Sequence, residues 1–508
     1  MRITNKIMQN NSLTNLNNNK ILQDKLNTQM TTEQKISRPS EDPVIAIRAL
    51  RLRTNLSEVT QYLEKNVTDA DGWLSATEDA LTTMDAVLKD MEDQCRRGNA
   101  AELTSENRAA ILEQLKGLRD EVYASGDADY AGRTLFTGYR TNESLSFKSN
   151  TENDKYRITE NFTVDDLGSI TYVDAGSLSD INDGNYDDAD GTTEREVTSD
   201  PIARIRLAYD ELDNNAATTA PKLTIGGTEA AMKTVSTGGD TALIPSMDPY
   251  QIMNAINAGN PPVGYENVDA IYVPETGEIL ITNENKKSIQ TNPDTAIEVE
   301  YEKSSWEKGD LRPEHYFKCT ETVGDKTVDY SGDTQYMEYD VGYNQKIRVN
   351  TLASEAFTHD IGRTVDELVR ASQDVVDMEA TVKKLTAMVD NSEYDQASVD
   401  ARLAAANKAL TLLKDKEKKL YASGITSMEG YRAQASLANT NLGNRDSRLE
   451  LIKKRLTSQK ANFEGLVTEN EGVDVSKVAV ELKSAMNTYD AALLATSKVV
   501  QNSLMNYI

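Results

Sequence analysis

Apolar side chains recur at steps of three and four residues over both ends of the chain, which is the spacing of one helix face. One clear series runs over residues 81–95, and another runs over residues 475–503. Between residues 146 and 336 the pattern changes to short runs in which apolar and polar residues alternate, as in strands. We therefore predict an α+β multidomain protein. Its N- and C-terminal halves form an antiparallel coiled-coil or helical bundle, with a strand-rich outer domain inserted between them.

The changes of pattern divide the chain into five predicted segments. An N-terminal coiled-coil helix and an elbow occupy residues 1–42, and the N-terminal half of the bundle occupies residues 43–145. The insertion covers residues 146–336 and forms either one subdomain or two. A hairpin and the C-terminal half of the bundle follow over residues 337–472, and a C-terminal coiled-coil helix covers residues 473–508.

The first segment carries a weaker helical signal, because asparagine is abundant and its side chain competes for backbone hydrogen bonds. Its apolar residues can share one stripe, composed of Ile3, Ile7, Leu13, Leu16, Leu22, Leu26 and Met30. Between Leu63 and Leu81 the apolar series is displaced by four residues, which predicts a locally unwound supercoil near Trp73. Gly98 is then expected to end a helix, and Thr104 or Ser105 to begin the next.

Residues 35–53, KISRPSEDPVIAIRALRLR, interrupt the N-terminal helical pattern. Pro39 and Pro43 end the first helix, because proline lacks an N–H and moves its predecessor out of the α region. Either Ser40 or Asp42 can cap the next helix, with Pro43 at its first position. Near the other end of the chain, glycines at positions 465 and 472 predict a second elbow opposite the first.

We predict that the first elbow is a contact between subunits, because it places charges of both signs on a short exposed turn. The candidate interface residues there are Ile36, Arg38, Pro39, Glu41, Asp42 and Pro43. In the C-terminal helix the candidates are Leu482, Tyr489, Val500 and Leu504. We expect four arginines to meet acids on neighbouring subunits rather than form a recognition patch, namely Arg38, Arg48, Arg51 and Arg53.

Within the insertion the strand signals are short and frequent. Residues 271–282, IYVPETGEILIT, predict a hairpin with Thr276 and Gly277 at its turn. Two short helices are also predicted, one over residues 201–212 with Asp200 as its cap and one over residues 249–257.

The net charge of −27 lies mostly in the insertion. Residues 146–345 hold 38 acidic and 15 basic side chains, whereas the rest of the chain holds 44 and 40. An acidic exterior disfavours nucleic acid as a partner. No apolar run approaches the roughly 20 residues of a membrane span, and the N-terminus lacks the apolar core of a signal peptide. We therefore expect no membrane insertion, and either a cytoplasmic protein or one exported by another route.

Motifs for catalysis or metal binding are weak. The two histidines, His315 and His359, lie outside any H-E-x-x-H motif, and the two cysteines make neither a zinc site nor a disulfide framework. The acidic loop between Asp183 and Asp190 fits no EF-hand register, because no glycine stands sixth with a glutamate twelfth. A solvated loop is favoured there, with an irregular calcium site as the alternative. We predict no enzyme activity, no cofactor and no metal.

Five stretches of the chain resemble the flagellin family of bacterial flagella. They are MRIT at residues 1–4, the elbow sequence at 35–53, AGRTLFTGYRT at 131–141, MEYDVGYNQKIRVNTLASEAF at 337–357 and SKVVQNSLMNYI at 497–508. The resemblance covers residues 1–145 and 337–508. It implies that the terminal helices form the inner layer of a tubular assembly and that the insertion faces outward.

Within this family the chain looks most like the proteins that join the hook to the filament. The resemblance then implies a structural adaptor that assembles as a ring through its terminal helices. It would contact the first hook-associated junction protein on the hook side and flagellin on the filament side, with a cytoplasmic export chaperone at its C-terminal helix. It also implies an extracellular location reached through the flagellar type III apparatus. The alternatives are flagellin itself and, more remotely, a coiled-coil enzyme or sensor with a ligand-binding insertion.

Overall fold

The computed structural model describes residues 5–505 apart from 101–102, 153, 183, 189–190, 214–219, 239–246, 325, 390 and 392. Of these residues, the side chains of 5, 179–180 and 499–505 are not described. The chain divides into two compact units. Unit 1 comprises residues 1–71, 339–347 and 446–508, and unit 2 comprises residues 72–338 and 348–445. The predicted division into five segments remains a prediction.

Long helices dominate both ends of the chain, as the periodicity predicts. The helices are α1 (Asn5–Thr32), α2 (Pro43–Gln61), α3 (Thr68–Gly98), α4 (Ser105–Gly126), α5 (Pro249–Asn257), α6 (Asn283–Thr291), α7 (Ala353–Ala356), α8 (His359–Met388), α9 (Gln396–Glu471) and α10 (Val475–Met505). None of the described helices is both long enough and apolar enough to cross a membrane.

The strands are confined to residues 129–348. They are β1 (Asp129–Tyr130), β2 (Arg133–Thr134), β3 (Asp154–Phe162), β4 (Gly168–Asp174), β5 (Thr198–Arg206), β6 (Lys222–Ile225), β7 (Thr228–Glu229), β8 (Met232–Thr234), β9 (Ala270–Val273), β10 (Glu278–Ile281), β11 (Ile297–Lys303), β12 (Lys318–Val323), β13 (Lys326–Tyr330), β14 (Glu338–Gly342) and β15 (Gln345–Arg348). The secondary structure therefore confirms an α+β chain; the coiled-coil arrangement of its helices remains a prediction.

The insertion is a β-sandwich within unit 2. One sheet has the order β4-β5-β10-β9-β8, and the other has the order β13-β12-β3-β11-β6-β7. Their facing residues form one apolar core, in which Ile205 and Tyr272 of the first sheet belong with Ile158 and Val299 of the second. The opposite face of the first sheet is covered by α5 through Ile252 and its neighbours. The predicted hairpin is confirmed as β9 and β10, with Gly277 at a φ of +60° in the turn.

One predicted helix is wrong. Residues 201–212 were expected to be helical, but β5 covers Thr198–Arg206 and lies between β4 and β10. Both faces of β5 are buried, with Ile202 in the core under α5 and Ile205 in the sandwich core. Apolar residues three apart on a strand buried on both sides imitate a helix stripe. The other predicted helix, over residues 249–257, is confirmed as α5, capped by Asp248.

The helices of unit 2 bury the predicted stripes. Along α3 the fully buried side chains include Trp73, Leu81, Met84, Leu88, Met91 and Cys95. This helix ends at Gly98, and the Thr104 side chain caps α4, as expected. Arg108 of α4 is buried and donates to Glu417 of α9 at 2.8 Å. The irregularity expected near Trp73 lies earlier, as a π-helical segment at Tyr62–Val67 that joins α2 to α3.

Unit 1 contains two helix contacts. The helices α1 and α10 lie antiparallel, with Gln23 donating to the carbonyl of Ala485 at 3.0 Å. The end of α9 runs antiparallel to α2, where the Asn470 amide donates to the carbonyl of Ile45 at 3.2 Å. The β14–β15 hairpin also belongs mainly to this unit and presents Tyr343, which is 89% exposed, at its tip.

Candidate assembly surface

Two bends of the chain meet in unit 1, and they correspond to the two predicted elbows. The first follows α1, where Glu33 adopts a left-handed φ of +58°. Gln34 then pairs with Gly472 in an isolated antiparallel bridge. The flanking hydrogen bonds run from Lys35 N to Glu471 O at 2.7 Å and from Val473 N to Glu33 O at 3.0 Å. The α1–α2 turn and the α9–α10 turn are therefore tied together through their backbones.

Glycine is required at position 472 because the backbone is crowded there. A Cβ on Gly472 would lie 2.4 Å from the carbonyl oxygen of Thr468, which is closer than real contacts allow. That carbonyl accepts the Gly472 N–H at 2.7 Å, which is the last hydrogen bond of the helical pattern of α9. Gly465, the other predicted elbow residue, lies inside α9, so the second bend is at Gly472.

Charged side chains hold the two bends against each other. The Lys35 ammonium donates to the carbonyl of Glu469 at 2.5 Å, where a cation is favoured by the unpaired carbonyls at the end of a helix. Arg53 of α2 donates its Nε to Glu471 at 2.8 Å and makes a second, shorter bond to the same carboxylate. Arg53 therefore pairs with an acid of its own chain, and the expectation that the four arginines meet acids of neighbouring subunits stays a prediction.

The turn between the helices is organised by two acids. The carboxylate of Glu41 accepts from Ser37 Oγ at 2.8 Å and from Ser37 N at 3.1 Å. These hydrogen bonds lower the pKa of Glu41 below its usual value. Asp42 accepts from the N–H groups of Val44 and Ile45, so it is the cap of α2, with Pro43 first in the helix. Of the two predicted caps, Asp42 rather than Ser40 caps α2.

The structure leaves most of the predicted elbow residues accessible. Arg38, Pro39, Glu41 and Pro43 are exposed, whereas Ile36 and Asp42 are half-buried. In α10, Leu482 and Tyr489 are also half-buried. Leu482 packs on a small cluster of Leu26, Val478 and Ala485 in its own chain. The side chains of Val500 and Leu504 lie outside the described ones. The role of all these residues at a subunit interface remains a prediction.

The predicted apolar stripe of α1 does not face its partner helix. The positions turned inward recur at helical spacing and are mostly polar: Gln9, Ser12, Leu16, Asn19, Gln23, Leu26, Thr28 and Gln29. Ile3 of the predicted stripe lies outside the described residues, and of its other members only Leu16 and Leu26 are turned inward. Other apolar residues point to solvent: Ile7, Met8, Leu13, Ile21, Leu22 and Met30. The inward side of α1 is thus mostly polar, and it meets an apolar side of α10 that includes Val478, Leu482 and Ala485. The apolar side of α1 has no partner in the described structure.

A second exposed apolar row follows the elbow directly. Val44, Ile47 and Leu50 of α2 are each more than half exposed. They were not among the candidate interface residues, although the sequence carries a signal. The first turns of α2 have apolar residues on more sides than one buried face requires, and the buried face takes Ala46 and Ala49.

Exposure of large apolar side chains is concentrated in unit 1. Of the twenty-three described side chains of this kind, seventeen belong to unit 1, although it is the smaller unit. Single exposed apolar residues are ordinary on protein surfaces, but contiguous groups mark interaction sites. In α10 the exposed residues include Val480, Met486, Leu493 and Leu494.

Unit 2 holds a polar cleft of about 700 Å³ between strands of the insertion and the helices α8 and α9, the feature that a ligand-binding insertion would need. Its buried charged groups are paired within the protein, whereas the buried Tyr316 hydroxyl has no hydrogen-bond partner in the described structure. Glu160, whose pKa burial raises to about 7, accepts from Tyr301 and from the Ala208 N–H. Arg204 bridges Glu278 and Glu367. Such saturated pairs are typical of a structural network.

The histidines and the acidic loop offer little for chemistry. Burial lowers the pKa of His359 to about 3 and that of His315 to about 4. In the acidic loop, Arg402 donates to the carbonyls of Asp188, Gly191 and Thr192. Asp183 and Asp190 lie outside the described residues, so the calcium alternative remains untested there. Elsewhere in the described chain no group of three potential metal ligands converges.

Comparison with known proteins gives one family model and two curated relatives that each match part of the chain. Residues 3–141 match the family model of the bacterial flagellin N-terminal helical region. Flagellar hook-associated protein 3 of Salmonella typhimurium is 27% identical over 142 residues, which are 28% of this chain and 44% of that protein. The protein of the same name from Escherichia coli is 26% identical over 142 residues, with the same coverage. The chain thus spans less than half the length of these curated relatives.

Solved structures of related name are more distant. The flagellar hook associated protein-3 of Legionella pneumophila is 9% identical, with a TM-score of 0.27 and coverage of 82% of this chain and 97% of that one. FlgL of Xanthomonas campestris is 13% identical, with a TM-score of 0.27 and coverage of 81% and 99%. Both scores are low, so no conclusion about the fold rests on them. The predicted resemblance to the flagellin family is confirmed for residues 3–141, and over 142 residues the chain is similar to flagellar hook-associated protein 3.

Proposed function

We propose that this protein is a structural axial component of the bacterial flagellum, an adaptor that joins the hook to the flagellin filament. The observation that carries the proposal is the concentration of exposed apolar side chains in unit 1. The same unit contains α1 and α2, which belong to the region similar to flagellin. The protein therefore acts by assembly and catalyses no reaction.

The physical argument is one of incomplete burial. Covering a large apolar side chain contributes about 1.5–3 kcal/mol, and in unit 1 many such side chains still face solvent. The contact between α1 and α10 buries only a small apolar cluster of Leu26, Val478 and Ala485 within one chain. In a ring, neighbouring copies cover these faces, so the terminal helices gain most of their stability from assembly.

The partners follow from the position of such an adaptor. The first hook-associated junction protein lies on the hook side and flagellin on the filament side, with further copies of this chain in the ring. Before assembly, α10 presents exposed apolar residues that suit a cytoplasmic export chaperone. The protein then works outside the cell.

Deletion of the gene tests this role directly. We expect electron microscopy to show hooks without filaments, and immunoblots to show flagellin shed into the medium. A plasmid copy of the gene should restore both filaments and swimming. Filaments of normal number and length in the deletion strain would contradict the proposal.

Flagellin itself is the second candidate, because the family match covers a region shared with bulk filament subunits. The two roles differ in how much of the protein a sheared filament contains. An adaptor is a trace protein in sheared filaments and remains with the hook fraction, whereas flagellin is the main protein of the sheared material. Quantitative mass spectrometry of the two fractions separates these roles.

A further inference from the structure

The first turns of α2 carry an exposed face that is both apolar and basic. We call this face the basic ridge, and it consists of Val44, Ile47, Arg48, Leu50 and Arg51. Arg48 and Arg51 are exposed, and neither has an ion pair among the described residues. Residues 43–57 contain no acid, although the chain as a whole has a net charge of −27. A ridge of this composition favours a partner that is acidic and has room for aliphatic side chains.

The exposed side of α3 has the opposite character. We call it the acidic face, and it consists of Asp79, Thr82, Ala86, Asp90 and Asp93, which share one side of the helix at steps of three and four. All five residues are exposed, and no ion pair joins the three aspartates to another described residue. Lys89 is the one base between residues 75 and 93 of the sequence.

The basic ridge and the acidic face are complementary in charge and in shape. Arg48 and Arg51 are three residues apart on one helix, as Asp90 and Asp93 are on the other. Next to the aspartates, the small side chains of Thr82 and Ala86 leave room for the side chains of a partner helix. Helices pack by placing the side-chain ridges of one into the grooves of another, and small residues deepen such grooves.

We propose that the basic ridge of one copy of this chain docks on the acidic face of the next copy. This contact is heterologous, because the two surfaces differ, and repetition of a heterologous contact generates rings or helical tubes. The proposal rests on the proposed function, since it identifies which surfaces hold neighbouring subunits together. The apolar residues of this contact hold the two copies together, and its charged residues set the register and exclude wrong partners.

A charge-swap experiment in the gene-deletion strain tests the contact. We expect Arg48→Glu with Arg51→Glu to reduce the fraction of filament-bearing cells at least about tenfold, because like charges across an interface oppose association. Asp90→Lys with Asp93→Lys should have the same effect. Co-expression of the two double variants should restore filaments, since each then meets a complementary neighbour. All four changes in one chain should restore them as well.

A matched control reverses the charge of two exposed lysines on α8, Lys383 and Lys384, which have no ion pair among the described residues. This variant should assemble normally. Circular dichroism of each purified variant should show an unchanged melting temperature, because every altered side chain is exposed. The proposal is overturned if either double variant assembles normally, or if co-expression and the fourfold variant both fail while each protein folds. Failure of the wild-type gene to restore filaments would instead count against the proposed function.

Discussion

At the scale of single residues, the most demanding feature of unit 2 is a buried charge pair. Arg108 and Glu417 are almost completely removed from solvent, and they are joined by hydrogen bonds of 2.8 and 3.2 Å. Ser372 donates to the same carboxylate at 2.7 Å. The sequence gives no sign of this pair, because 309 residues separate its members and single charges within a helical pattern suggest solvent exposure.

Replacing Glu417 with glutamine should therefore be costly. The change removes the nearer of the two carboxylates that face the buried Arg108 guanidinium and leaves only Glu379, at 3.5 Å. Loss of one member of a buried pair costs about 3–5 kcal/mol, and the Glu379 carboxylate offsets part of that cost. The control is Glu429→Gln on the same helix, where the carboxylate is 3.5 Å from Arg96 and both side chains are more than half exposed. That change should stay within about 0.5 kcal/mol. Urea denaturation of both variants measures the difference, and equal midpoints would contradict it.

At the scale of elements, periodicity predicted the helices well and the inward sides of α3 and α10, but not the inward side of α1. The stripe of α3 is buried as expected, because apolar residues at one spacing have only one way to face a core. In α1, apolar residues lie on several sides, so the sequence does not decide which side meets α10. The prediction for β5 was wrong for a related reason, because burial on both faces removes the alternation that identifies a strand.

The sequence predicted where the candidate surface lies, but not all of the contacts that form it. The prolines and Asp42 locate the elbow and its cap in the sequence. The bridge between Gln34 and Gly472 was not predictable in detail, because it joins backbone groups more than 400 residues apart, for which side-chain patterns give no register.

The elbow gives a prediction that separates folding from assembly. Arg38 is exposed and its side chain has no ion pair in the described chain, so Arg38→Ala should leave the melting temperature unchanged yet impair motility. Asp42→Ala differs, because it removes two hydrogen bonds to the start of α2 and should cost about 1 kcal/mol as well. Calorimetry and swimming assays of both variants distinguish the two effects. Normal motility in both would show that the elbow is not a subunit contact.

At the scale of the whole molecule, the two units differ in how much of their apolar surface they cover. We predict that α1 and α10 exchange their amide hydrogens within seconds in the free monomer, because isolated helix pairs with little burial are marginal in water. Amides of residues 81–91, in the buried stripe of α3, should remain protected far longer. Hydrogen exchange with mass spectrometry on a verified monomer measures both. Slow exchange throughout residues 475–498 would refute the prediction.

The polar inward side of α1 also has a kinetic consequence. Its glutamine and asparagine side chains leave only a small apolar cluster to hold α1 and α10 together, and polar residues at a helix contact lower its stability. Two such helices can separate and pair again many times before either forms a lasting contact with a neighbour. A chain that joins an assembly in this way corrects a misplaced partner quickly. It becomes fixed only when surrounding copies exclude water from the outer sides of its terminal helices.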